Sequence, residues 1–300
     1  MHRLSFRPIL RFSFCLLVLC GLTYVLSAKP AYPPIIEGAQ VETYKVAGEM
    51  ELRLWIFNPE GHKPDDKTPA IVFFFGGGWN GGSPSHFARQ SQYLASRGMV
   101  AAVADYRVKS RNGVPVKVCL EDAKSAVRWI RANAERLGID PNHIAAGGGS
   151  AGGHLAAATA AVQDFDNAEE DSRVSSRPNA LVLFNPVAVV GPVDGVSELD
   201  IFKSKHSHQR AGTDPVKLSP YHQAKEDMPP TILFHGTADE TVPYVAAELF
   251  NQKLHDLGVR CELVTYDGAG HSFFNGPKYY EDTISKMDTF LVSIGYLEKQ

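Results

Sequence analysis

Gly148-Gly149-Ser150-Ala151-Gly152 places a serine two residues from a glycine on either side. That G-x-S-x-G spacing suits a nucleophile on a tight strand-to-helix turn, where the flanking positions must lack bulk. A serine hydroxyl is a poor nucleophile until a neighbouring base takes its proton. With such a turn the partners follow in the order Ser, then Asp or Glu, then His. Asp239, in His235-Gly236-Thr237-Ala238-Asp239, and His271, in Gly268-Ala269-Gly270-His271-Ser272-Phe273, stand in that order. Each lies just past an apolar run, at the sheet edge where ligands and reactive groups collect. Asp239 is expected to orient the imidazole, and His271 to act as general base and then general acid. Glu240 is read as a solvated carboxylate and His235 as structural.

Acyl transfer also needs donors for the developing oxyanion. Phe75-Gly76-Gly77-Gly78-Trp79 supplies three successive glycines, whose N–H groups no side chain shields. Gly77 and Gly78, with Ala151 at the start of the helix after the serine, are the expected donors. Trp79 is a candidate wall of the substrate pocket, with plain packing as the competing reading. Gly-rich loops also precede helices at dinucleotide sites, but no G-x-G-x-x-G with an acidic residue about 20 positions on is present. No cofactor is therefore expected. His206 and His208 are spaced as a metal pair could be, yet no Cys or carboxylate cluster accompanies them. They are read as a solvated basic loop, and no metal is expected.

These residues need a scaffold, and the chain supplies alternating strand and helix patterns. Val41 to Val46 and Met50 to Asn58 read as an antiparallel strand pair. Ala70 to Phe75 and Met99 to Ala104 are continuous apolar runs, the mark of strands buried on both faces. Val116 to Leu137 has helical spacing and is stopped by Gly138. His143 to Ala146 reads as a short strand and Gly152 to Val162 as an Ala-rich helix. Strands at Leu181 to Phe184, Thr231 to Phe234 and Glu262 to Tyr266 follow, with helices at Val245 to Leu257 and Tyr279 to Ile294. The alternation implies the α/β class, a mostly parallel central sheet with helices on both faces. Residues 186–225 have no clean periodicity and are too long for a plain loop. They are expected to form a small cap of short helices inside one domain spanning 29–300.

The 300 residues are 44% hydrophobic and 21% charged, enough to bury a core without staples. A formal charge of -3 gives no reason to expect a nucleic-acid partner. The first 28 residues place His2, Arg3, Arg7 and Arg11 before an apolar run of 15 residues, Phe12 to Leu26, ending Ser27-Ala28. This pattern reads as a signal peptide cleaved near Ala28, giving a secreted or periplasmic protein. The run is shorter than the roughly 20 residues of a spanning helix, which disfavours a membrane anchor. Of four cysteines, Cys119 and Cys261 survive that cleavage; they are read as buried free thiols, although export would permit pairing.

The chain resembles the α/β-hydrolase carboxylesterases of the hormone-sensitive-lipase and acetyl-esterase group, including secreted acetylxylan and feruloyl esterases. The resemblance runs from about Tyr44 to the C-terminus. It rests on Gly76-Gly77-Gly78-Trp79, Asp105-Tyr106-Arg107, Gly149-Ser150-Ala151-Gly152-Gly153-His154-Leu155, His235-Gly236-Thr237-Ala238-Asp239 and Gly270-His271-Ser272-Phe273. It implies an α/β-hydrolase fold and an acyl-enzyme mechanism on short acyl (acetyl) or feruloyl esters of carbohydrates, small or polysaccharide-linked. Two positions depart from the family. Phe75 stands where a histidine usually precedes the glycines, and Val108-Lys109-Ser110 replaces the usual Leu-Ala-Pro. Arg107 is read as an ion-pair partner. The Asp and His segments also resemble prolyl-oligopeptidase-type peptidases, but the chain has no room for their accessory domain. A small-substrate serine peptidase or amidase with the same triad is the alternative, ahead of a non-catalytic binding protein. Nothing in the sequence sets the oligomeric state.

Overall fold

A computed structural model describes residues 32–197 and 207–299. The expected signal peptide and His206 lie outside them, as does the side chain of His208. Pro33–Gln300 form one compact unit, to which every element below belongs; of the other, Met1–Tyr32, only Tyr32 is described.

Eight strands form one sheet in the order β1-β2-β4-β3-β5-β6-β7-β8. They are β1 (Gln40–Ala47), β2 (Met50–Phe57), β3 (Thr68–Phe74), β4 (Val100–Ala104), β5 (Ile139–Gly149), β6 (Ala180–Phe184), β7 (Thr231–Gly236) and β8 (Cys261–Tyr266). β1 and β2 pair antiparallel, as does β2 with β4; β4, β3, β5, β6, β7 and β8 run parallel. Every residue of β4, β6 and β7 is buried, as continuous apolar runs covered on both faces require.

Eight helices accompany the strands among the described residues: α1 (Ala88–Ser96), α2 (Lys109–Asn112), α3 (Val116–Ala132), α4 (Ala151–Ala161), α5 (Ser207–Ala211), α6 (Pro220–Gln223), α7 (Tyr244–Asp256) and α8 (Tyr280–Ser293). Successive strand residues point to opposite faces, and two cores follow. Val72, Phe74, Leu181 and Leu183 join the apolar stripes of α3, α4 and α7. Ile71, Phe73, Val182 and Phe184 join those of α1 and α8. The fold is that of an α/β-hydrolase, with helices on both faces of a mostly parallel sheet.

Three local differences from the sequence expectations have visible causes. The α3 helix stops at Ala132: the Asn133 N–H still donates to the Trp129 carbonyl at 3.0 Å, but the Ala134 N–H turns to the Arg131 carbonyl at 3.3 Å, three residues back, and the helical ladder ends. β5 extends through Gly147, Gly148 and Gly149, whose partners are Phe73, Phe74 and Phe184. The segment between β3 and β4, to which the pattern assigned no element, contains a 3-10 turn (Pro84–Phe87) and α1. Within 186–225 the described part forms α5, a 3-10 turn (Pro215–Leu218) and α6. Cys119 and Cys261 are buried free thiols.

Candidate active site

Ser150 sits between β5 and α4 with φ 54° and ψ -122°, a conformation that costs a non-glycine residue about 1–3 kcal/mol. The surroundings hold it there. Its N–H donates to the Phe184 carbonyl at 3.0 Å, and its carbonyl accepts from the His154 N–H at 3.0 Å. A Cβ on Gly148 would stand 2.6 Å from the Phe74 carbonyl oxygen, and one on Gly152 would stand 2.0 Å from the same atom. The two outer glycines of the pentapeptide are thus required by the close approach of β3.

The loops after β7 and β8 bring Asp239 and His271 to this turn. His271 Nε2 lies 3.0 Å from Ser150 Oγ, and His271 Nδ1 lies 2.7 Å from Asp239 Oδ2. A carboxylate only accepts, so Nδ1 carries the proton and Nε2 is left to accept from the serine hydroxyl. The Asp239 side chain is fully buried, and Oδ1 takes N–H bonds from Thr241 and Val242, both at 2.9 Å. Burial alone would raise its pKa, but hydrogen bonds from His235, His271 and the Val242 N–H hold it well below the usual carboxylate range. His235 is buried, stands 3.5 Å from Asp239 and donates from Nε2 to the Val242 carbonyl at 2.9 Å, closing the aspartate loop. Glu240 is exposed.

The glycine loop forms the opposite rim. Among the described residues, the N–H groups of Gly77 and Gly78 donate to no protein acceptor. Ala151 opens α4, so its N–H has no partner within the helix. Phe75, in place of a histidine, anchors the loop by packing. It is fully buried and stacks on Tyr106 with ring centroids 4.1 Å apart, while the Tyr106 hydroxyl donates to the Phe75 carbonyl at 2.7 Å. Trp79, at φ 55°, donates from its indole to His154 Nδ1 at 3.3 Å. His154 Nε2 in turn donates to the Leu218 carbonyl at 2.8 Å. Burial pushes the His154 imidazole down to about 4, so it is the neutral ring that bridges the glycine loop to the insertion.

A cavity of about 490 Å³ holds Ser150, His271 and the glycine loop, walled by His86, Phe87, Thr241, Phe274 and Asn275. Trp79 does not line it. Its ring is buried behind the loop, edge-on to His154 and beneath the Arg210 guanidinium, so the pocket-wall reading gives way to packing. No sequence signal marks His86, Phe87, Phe274 and Asn275, because the 3-10 turn before α1 and the turn after His271 carry no spacing that points to them. Arg107 forms the expected ion pair, 2.7 Å from buried Asp122.

A family model described as BD-FAE matches residues 54–254. Esterase 2 of Thermogutta terrifontis in its apo form is 48% identical, covers 90% of this chain and 100% of that chain, and superposes with a TM-score of 0.86. The same esterase with propionate bound is 48% identical over 90% of this chain and 99% of that chain, TM-score 0.85. A probable isoprenylcysteine alpha-carbonyl methylesterase of Oryza sativa subsp. japonica is 28% identical over 85% of this chain. This chain spans 63% of that relative's length, and 45% and 53% of two similar methylesterases of Arabidopsis thaliana. The chain belongs to the BD-FAE family and is an α/β-hydrolase of the carboxylesterase type.

Proposed function

We propose that the protein hydrolyses carboxylic esters through a covalent acyl-enzyme on Ser150, with short-chain acyl (acetyl) or feruloyl esters of carbohydrates as substrates. The continuous hydrogen-bonded path from Ser150 Oγ through His271 to Asp239, at 3.0 and 2.7 Å, carries the reading. His271 takes the serine proton as Oγ attacks the ester carbonyl. Negative charge gathers on the carbonyl oxygen, where the N–H groups of Gly77, Gly78 and Ala151 stabilise it. The C–O bond to the alcohol breaks, and His271 returns the proton to the departing oxygen. Water then repeats the sequence against the acyl-serine, releasing the acid. Asp239 stays ionised throughout and balances the imidazolium.

Short acyl groups are supported by the aromatic wall of the cavity, Phe87 and Phe274. Phe274 stacks on Phe87 at 5.6 Å, and Phe184 packs on Phe274 at 4.7 Å. Structures of the 48% identical Thermogutta terrifontis esterase 2 with propionate and with butyrate bound agree with that size. The basic and apolar N-terminal pattern extends the proposal to export, which predicts a secreted or periplasmic product beginning near Lys29. The test is a panel of acetylated xylan, methyl ferulate, nitrophenyl esters of rising chain length and a dipeptide amide, run with wild type and Ser150→Ala. Turnover of the short esters that Ser150→Ala abolishes fits the reading. Turnover of the amide alone contradicts it.

A further inference from the structure

We infer that Asn185 is a positioning residue for His271, an assignment that rests on the triad reading above. Asn185 follows β6, is fully buried and holds φ 35°, in a region where asparagine is enriched over other non-glycine residues. Its N–H donates to the Phe234 carbonyl of β7 at 2.7 Å, fixing its backbone to the strand that leads to Asp239. Its Oδ1 accepts the N–H of Ser272, the residue after His271, at 3.1 Å. Ser272 is itself left-handed, at φ 61°. On the other side of His271, the Ala269 carbonyl accepts the Ala238 N–H at 3.1 Å. The imidazole therefore hangs from a backbone pinned on both flanks: by the aspartate loop before it and by the Asn185 carboxamide after it. The residue before Asn185, Phe184, accepts the Ser150 N–H, so one short segment sets the nucleophile and the base relative to each other.

The other half of the carboxamide sharpens the assignment. Asn185 Nδ2 is buried and has no hydrogen-bond partner among the described residues. A buried donor without an acceptor destabilises a fold, as does a positive φ on a side-chain-bearing residue. Asn185 carries both penalties and makes one specific bond, to the histidine loop.

The test compares Asn185→Gly, which relieves the backbone strain and removes the carboxamide, with Asn185→Asp, which keeps an acceptor oxygen. Hydrolysis of nitrophenyl propionate and phosphonylation of Ser150 by a fluorophosphonate are read on protein whose folded state is matched by near-UV circular dichroism. Asn185→Gly is expected to lower kcat and the phosphonylation rate together by about 10–100-fold, with KM within about twofold and a melting temperature no lower than wild type. Asn185→Asp is expected to recover most of that loss. Wild-type kcat in Asn185→Gly, a change confined to KM, or no recovery in Asn185→Asp would overturn the assignment. If Ser150→Ala is inactive in the same assay, such a result removes Asn185 alone. If Ser150→Ala turns over at the wild-type rate, the triad reading falls and takes this assignment with it.

Discussion

Six non-glycine residues among those described have a positive φ, and four of them stand at the glycine loop, the serine turn, the end of β6 and the histidine loop: Trp79, Ser150, Asn185 and Ser272. Backbone strain persists where the surroundings over-determine it, commonly at functional sites. Ser150→Ala keeps that backbone and removes one oxygen, so turnover should fall by about 10⁴-fold or more, with the melting temperature little changed. Asp239→Asn should cost about 10⁴-fold in kcat, because the amide can present a donor to His271 and impose the wrong tautomer. The aspartate also ties stability to pH. Its folded pKa is depressed, so the ionised form contributes stability above the unfolded value of about 3.9, and that contribution is lost as pH falls through the lower folded value. Chemical denaturation of wild type and Asp239→Asn should therefore differ most above about pH 4 and converge in stronger acid.

The elements explain which parts of the site could be read from the sequence. Ser150, Asp239 and His271 each follow a strand of the parallel part of the sheet, so strand order and residue type single them out. Asn185 and His154 were not named as parts of the site: one follows β6 and the other lies within the helix after the serine, and no local pattern says which distant atoms they meet. Phe75 was visible as a departure from the family, but its effect depends on Tyr106, 31 residues away. For Trp79 the sequence leaves pocket wall and packing open, because it shows that an aromatic follows the glycines and not which way a left-handed residue turns it. His154 supplies the element-scale prediction. Its folded pKa of about 4 lies below the unfolded value, near 6.5. The unfolded chain therefore binds the extra proton first, and stability falls as pH drops from about 6.5 to about 4, by up to the order of 3 kcal/mol. His154→Gln should flatten that segment of the stability profile. It should also weaken turnover through the Trp79 contact while Ser150 remains phosphonylated.

At the scale of the whole molecule, two cores on opposite faces hold a sheet whose C-terminal edge collects the serine turn and both partner loops. The cavity at Ser150 lies there, and two rings of the second core, Phe87 and Phe274, line it, with Phe184 packed behind Phe274. On the proposed function, core packing would set acyl length. Phe274→Ala should raise kcat/KM for an octanoyl ester relative to a propionyl ester by about tenfold, and should lower stability by about 3–5 kcal/mol as a large buried ring is lost. The most direct test of the acyl-enzyme account is rapid-quench mass spectrometry of the protein during turnover of nitrophenyl acetate. The account predicts one acetyl group, on the peptide carrying Ser150, that forms in a burst, slows by orders of magnitude in His271→Ala and is absent in Ser150→Ala. Continued hydrolysis by Ser150→Ala at the wild-type rate, or an acetyl group that builds up kinetically on another residue, would contradict it.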